Sequence, residues 1–102
     1  MTHWRNAAAA ADVTEGEVLG CLVDGVPVAL FRLGDGVFAL HDVCSHGQAR
    51  LSEGFVESGC VECPLHQGLV DIRSGEPRSA PITDPVRRYP TRLVGDRVEI
   101  SL

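Results

Sequence analysis

Cys44-Ser45-His46, then sixteen residues, then Cys63-Pro64-Leu65-His66: these two short runs put a thiol and an imidazole on each of two loops. Gly47 follows the first run and Gly68 closes the second, so each loop holds a residue that lets backbone turn tightly. Two thiolates and two imidazoles converging from two loops make a four-ligand metal site. Cys44, His46, Cys63 and His66 are its candidate ligands.

Two metal groups suit that set. Zinc takes mixed Cys/His ligation in closed tetrahedral sites. A [2Fe-2S] cluster takes it when one iron holds two Cys and the other two His. The distribution of ligands separates them. Zinc fingers usually pair like ligands at turn spacing. Here each loop carries one Cys and one His, as a flat two-iron cluster held between two loops requires if each loop is to reach both irons. At these residues the chain resembles the Rieske signature, and Cys63-Pro64-Leu65-His66-Gln67-Gly68 looks like its second loop. The rival from another class is a structural zinc module serving protein interaction. Colour discriminates them, since a Rieske protein is red-brown and a zinc protein colourless.

With 102 residues, one domain spanning 1–102 is expected. An apolar fraction of 44% supports a small core, and a bound cluster would cross-link loops that otherwise pack weakly. The formal net charge of -5 argues against nucleic acid, which selects basic faces. The alanine run Ala7 to Ala11 lacks a long apolar stretch and is closed by Asp12, so no signal peptide is expected. No segment approaches membrane-spanning length. A reducing cytoplasm, where thiolates for cluster assembly survive, is the expected location.

Glycines at short intervals, with apolar runs of five to seven residues between, predict an all-β chain. Strands are expected at 18–23, 26–33, 37–41, 55–57, 60–62 and 69–72, with Trp4 in a further N-terminal strand. Pro27 suits an edge or a strand start. Asp24-Gly25 and Ser58-Gly59 are hairpin turn signals. A turn is expected at Val13 to Gly16, with Asp12 or Thr14 as a cap, and another at Leu51 to Gly54. The 55–62 hairpin would set the distance between the ligand loops. Arg73 to Pro85 reads as irregular, and Val86 to Val94 with Arg97 to Leu102 as a closing hairpin. The architecture expected is a Rieske fold, an antiparallel sandwich or barrel bearing a cluster-binding subdomain at about 42–70.

With two thiolates and two neutral imidazoles, the oxidised cluster is neutral and reduction makes it singly negative. Four Cys would make it two units more negative, so the potential should lie above that of plant-type ferredoxins. All protein positions on iron are filled, leaving none for substrate. That favours electron transfer over catalysis, by the logic that separates closed from open zinc sites. Backbone N–H groups of both loops are expected to donate to the sulfides.

Almost the whole chain, Trp4 to Ile100, resembles the small Rieske ferredoxins of bacterial aromatic-ring-hydroxylating dioxygenase systems, the naphthalene type in particular. The stretches that carry the likeness are Glu17-Val18-Leu19-Gly20, Cys44 to Gly54, Glu62 to Gly68 and Ala80-Pro81-Ile82-Thr83. The resemblance implies a soluble, monomeric one-electron carrier with a [2Fe-2S] cofactor. Its partners would be a flavoprotein reductase as donor and a terminal oxygenase as acceptor. It implies that the segment around Pro81 shields the cluster. The high-potential respiratory branch adds a disulfide between the loops, at positions that are Ala49 and Leu65 here. A low potential of about -150 mV is therefore expected. The small subunit of a nitrite-reductase-like enzyme shares the fold and is the alternative within electron transfer. A redox-sensing regulator would need a switch element that the sequence does not show.

The remaining candidates have plainer readings. Cys60 forms a C-x-x-C with Cys63, a possible zinc knuckle or redox pair, yet it lies on a strand and reads as a small buried residue. Cys21 is mid-strand, and a Cys21–Cys60 disulfide is disfavoured by location. His41 is read as closing a strand by hydrogen bonding, and His3 as part of a frayed end. Asp12, Glu15, Glu17, Asp35, Asp42, Glu53 and Glu57 read as solvated surface, or as a partly acidic docking face. The apolar contact rim is expected at Ala49, Pro64, Leu65 and Pro81.

Overall fold

The computed structural model describes residues 3–34, 36–45, 49–64, 67–80 and 82–102. Among these the regular structure is β, with two short 3-10 turns and no α-helix. The strands are β1 (Trp4–Ala9), β2 (Val18–Val23), β3 (Val26–Leu33), β4 (Gly36–His41), β5 (Phe55–Glu57), β6 (Cys60–Glu62), β7 (Leu69–Asp71), β8 (Arg88–Tyr89), β9 (Thr91–Val94) and β10 (Arg97–Ser101). They pair antiparallel into three sheets, ordered β1-β10-β9, β2-β3-β4-β8 and β5-β6-β7.

The four-stranded sheet is the middle layer, and β3 shows why. Its Val-Pro-Val-Ala-Leu-Phe-Arg-Leu run is nearly continuous in apolar residues, the pattern of a strand covered on both faces. Val28 and Leu30 point one way, to pack with Val98 and Ile100 of β10 and Val37 and Ala39 of β4. Ala29, Phe31 and Leu33 point the other way, to pack with Leu40, Val61, Val70, Ile72, Cys44 and Cys63. Full burial of a side chain such as Leu30 or Phe31 is favourable by about 1.5–3 kcal/mol. The ligand loops thus rest on one face of a sheet whose other face is braced by the β1-β10-β9 layer.

The turns follow local chemistry. Asp24 and Gly25 have φ of 51° and 80°, and Ser58 and Gly59 have 51° and 77°. Both pairs are two-residue connections with positive φ at both central positions, the I′ geometry that matches strand twist. Gly54 is required for another reason: a Cβ there would lie 1.9 Å from the Glu62 carbonyl oxygen.

Several expectations are corrected. The predicted strand at 86–94 is two strands, because Pro90 has no N–H to give to a ladder. Before it, Tyr89 pairs with Ala39 of β4; after it, Thr91 pairs with Ile100 of β10. Pro27 stands near the start of β3, as expected, but on an interior strand rather than an edge. The turn expected at 13–16 is present, the Glu17 amide donating to the Thr14 carbonyl at 3.1 Å, but a 3-10 turn precedes it at Ala10–Asp12 and has no side-chain cap. It is held instead by Arg32, which donates to the carbonyls of Ala10 and Val13 at 2.8 and 2.7 Å. The Leu51–Gly54 turn is present as a 3-10 turn at Leu51–Glu53.

Among the described residues of 73–85 there is no strand, and the start of the segment is held by Asp71. That carboxylate accepts the Arg73 and Ser74 amides at 2.9 and 3.1 Å and the Arg78 guanidinium at 2.7 Å. The Arg78 guanidinium, foremost, holds the Asp71 carboxyl below the usual carboxylate range. Gly75 closes the segment against Val86, whose amide donates to the Gly75 carbonyl at 2.8 Å.

Candidate metal centre

Cys44 and Cys63 sit at the necks of two loops closed in the same way. The Cys44 amide donates to the Ala49 carbonyl at 2.9 Å, and the Cys63 amide to the Gly68 carbonyl at 2.8 Å. Each bond spans five residues, and each encloses one histidine of the candidate set. Both cysteines are buried, at 2% and 0% exposure, in one apolar cluster with Leu51, Val61, Ala49 and Ile82. Gln67, at φ 59°, completes the second loop by donating its amide to the Cys63 carbonyl at 2.9 Å.

His46 and His66 lie outside the described residues, as do Leu65 and Pro81. Of the four candidate ligands, the structure brings Cys44 and Cys63 together in one buried cluster. The amides of Cys44, Cys63 and Gln67 are committed to loop closure, so the expected donation to sulfides does not come from these three.

The first loop rests on a buried carboxylate. Asp42 is only 1% exposed, against the expectation of a solvated acid. It accepts both the amide and the hydroxyl of Ser52 at 2.7 Å, and Arg50 approaches it at 3.6 Å. Its own amide donates to the Pro27 carbonyl at 3.0 Å, and its carbonyl accepts from the Leu51 amide at 2.7 Å. Both feet of the loop are thereby tied to each other and to β3. Gly20 makes room for this, since a Cβ there would lie 2.7 Å from the Ser52 side chain.

The segment after Ser79 brackets both loops. The Ser45 hydroxyl donates to the Asp84 carbonyl at 2.8 Å. The Ser79 hydroxyl accepts from the Leu69 amide at 2.9 Å, just beyond the second loop. Ile82 is buried in the cluster that holds Cys44 and Cys63. Sequence reasoning missed Asp42, Ser45, Ser52 and Ser79 as supports. Their only signal was position, at the feet of the ligand loops.

The other candidates resolve as follows. His41 ends β4, and its Nδ1 lies 3.1 Å from the Tyr89 hydroxyl, a strand-closing hydrogen bond as expected. Ala49 is buried at 7% and so is not part of an exposed rim, whereas Pro64 is exposed. Cys60 is half-buried rather than buried, because its register opposite Glu57 and Asp71 puts it on the outer face of the small sheet. Burial, then the Asp71 charge, pushes its thiol pKa up. Cys21 is also half-buried, its thiol pushed up by burial and then by Asp42, and both it and Cys60 are unbridged.

Buried cysteines on paired, pre-closed loops inside an apolar shell suit a soft iron–sulfur group. The fold and these loops define a β-protein with two buried cysteines set at the necks of paired loops. A profile of the Rieske [2Fe-2S] domain matches residues 3–90. The anthranilate 1,2-dioxygenase ferredoxin subunit of Burkholderia cepacia is 55% identical over 102 residues, covering 100% of this chain and 94% of that one. The ferredoxin component of the naphthalene 1,2-dioxygenase system of Pseudomonas aeruginosa is 41% identical over 99 residues, covering 97% and 95%. Among solved structures, the complex of reduced oxygenase and oxidised ferredoxin of carbazole 1,9a-dioxygenase contains a chain that superposes with a TM-score of 0.87 at 33% identity. The match covers 96% of this chain and 92% of that one. The chain belongs to the Rieske [2Fe-2S] domain family, and its cofactor is a Rieske-type [2Fe-2S] cluster.

Proposed function

We propose that the protein is the ferredoxin component of an aromatic-ring-hydroxylating dioxygenase system. It takes one electron from a flavoprotein reductase and delivers it to a terminal oxygenase, without binding an organic substrate. Cys44 and Cys63 ligate one iron of the cluster, and His46 and His66 the other. The loops that carry them belong to a cluster-binding subdomain at about 42–70 within a single domain. The cluster supplies a reversible one-electron change. The chain's own residues hold it between two loops and keep water from Cys44 and Cys63. A cytoplasmic location suits thiolates that must stay reduced.

The observation that carries this reading is the pair of buried cysteines on equally closed loops, in a chain 55% identical along its whole length to a dioxygenase ferredoxin subunit. Two measurements test it. The EPR spectrum of the dithionite-reduced protein should be rhombic, with an average g below that of four-Cys ferredoxins. The reduced protein should pass its electron to a dioxygenase component in a stopped-flow experiment. A colourless, EPR-silent protein with stoichiometric zinc would end the carrier reading. Transfer to a nitrite-reducing partner and to no oxygenase would replace it with the nitrite-reductase alternative.

A further inference from the structure

The outer face of the small sheet carries side chains that the fold does not use. The registers Phe55↔Glu62↔Leu69 and Glu57↔Cys60↔Asp71 put these six residues on one face, while Val56, Val61 and Val70 point into the core. Phe55 is 67% exposed, an unusual place for an aromatic. It lines a depression of about 340 Å³ together with Glu17, Val18, Ser52 and Gly54. Its cross-strand partner Glu62 lines a second, of about 410 Å³, with Glu57, Ser58, Cys60 and Leu69.

The charge around Phe55 is net negative. Among the described residues neither Glu57 nor Glu62 has an ion-pair partner. Of the nearby guanidiniums, Arg78 neutralises Asp71 on the same face, and Arg73 stacks on the Phe38 ring at 5.3 Å. The face also runs into the second candidate ligand loop. Glu62 and Leu69, a cross-strand pair, are the residues just before Cys63 and just after Gly68, the two ends of the second ligand loop.

We infer that this face is an extension of the docking surface for the terminal oxygenase, with Phe55 as apolar anchor and Glu57 and Glu62 as the steering charges. It rests on the carrier reading above and adds the partner's chemistry: an apolar socket rimmed by Lys or Arg beside the electron entry site. Aromatic anchors carry most of the energy of such contacts, while charges set the encounter rate. A partner seated on Phe55, Glu62 and Leu69 lies alongside the loop of Cys63 and His66, where transfer must occur.

The test uses cluster-loaded wild type, Phe55→Ser, the Glu57→Gln/Glu62→Gln double variant and, as a control, Leu93→Ser on exposed β9. Visible spectra establish that each holds its cluster. Stopped-flow mixing of reduced carrier with oxidised oxygenase then gives second-order rates at several ionic strengths. Phe55→Ser should slow transfer by about tenfold. The double variant, which removes no packing, should slow it by about tenfold at low salt and flatten its salt dependence. Leu93→Ser should match wild type. Wild-type rates in both test variants would overturn the inference while leaving the carrier function intact. Slowed reduction by the reductase with unchanged transfer to the oxygenase would also overturn it, by assigning the face to the other partner. No transfer by wild type would refute the carrier reading itself.

Discussion

Replacing Asp42 with Ala should uncouple the first ligand loop from the sheet beneath it. The carboxylate accepts two hydrogen bonds from Ser52, both at 2.7 Å, and is 1% exposed. Hydrogen bonds to a charged group contribute about 1.5–3 kcal/mol each. The Arg50 contact adds little, about 0–1 kcal/mol, because it is long at 3.6 Å and that guanidinium is half exposed. Loss of the acceptor also strands the Ser52 amide and hydroxyl. The total is about 3–7 kcal/mol, and at roughly 4–8 °C per kcal/mol for a domain of this size it corresponds to about 12–56 °C in Tm.

Asp42→Asn keeps an oxygen for the Ser52 amide and can donate to the Ser52 hydroxyl. It should therefore cost less, about 1–2 kcal/mol. Because a bound cluster breaks two-state behaviour, unfolding should be followed both by far-UV circular dichroism and by the visible absorbance of the cluster. In Asp42→Ala, cluster absorbance should be lost at a lower temperature than β structure, since the loop's feet fail before the core. A Tm within about 4 °C of wild type for Asp42→Ala, with the two signals still coincident, would refute this account of the carboxylate.

Gly54→Ala forces a Cβ to within 1.9 Å of the Glu62 carbonyl, so the small hairpin must shift; a loss of about 3 kcal/mol or more is expected, with reduced iron content after purification as the check. For Asp71, the folded carboxyl is depressed chiefly by Arg78. Its stabilisation is therefore present above the ordinary carboxylate pKa and lost as pH falls through the depressed native value. Asp71→Asn should lower stability at pH 7 and flatten the acid limb of the stability curve; an acid limb as steep as wild type's would contradict this. Cys60→Ser should leave the visible and EPR spectra unchanged, and the native Cys60 thiol, pushed up by burial and by Asp71, should alkylate with iodoacetamide more slowly than a free cysteine at pH 8. A changed spectrum would revive the C-x-x-C reading.

Strands that announce themselves by local chemistry were legible in the sequence. β2, β3, β5 and β6 begin and end where expected because paired turn residues, Asp24-Gly25 and Ser58-Gly59, punctuate them. The break at Pro90 was visible as a proline, but that it hands the chain from one sheet to another depends on pairing with β4 and β10, which no local window contains. Asp42 illustrates the same limit. An aspartate beside a polar loop reads as surface. Its burial follows from Gly20 and Ser52, far apart in sequence, meeting over it. Cys60 failed in the opposite direction, since the face of a three-residue strand is set by register and not by hydrophobicity. The ligand motif stands out because its spacing is a chemical demand, and the span that matches the family, residues 3–90, contains it.

The Ser58-Gly59 turn lies at the far end of the small hairpin, while the ends of β5 and β6 nearest the cluster face the two ligand loops. The sixteen residues between His46 and Cys63 therefore measure a detour, out along one strand and back along the next. Lengthening that detour at its tip would leave the ligands where they are. Such growth is easiest in steps of two, one residue on each strand, because a single added residue would invert which side chains face inward. Any search for similar sites that insists on a fixed ligand interval would overlook proteins whose hairpin is merely longer.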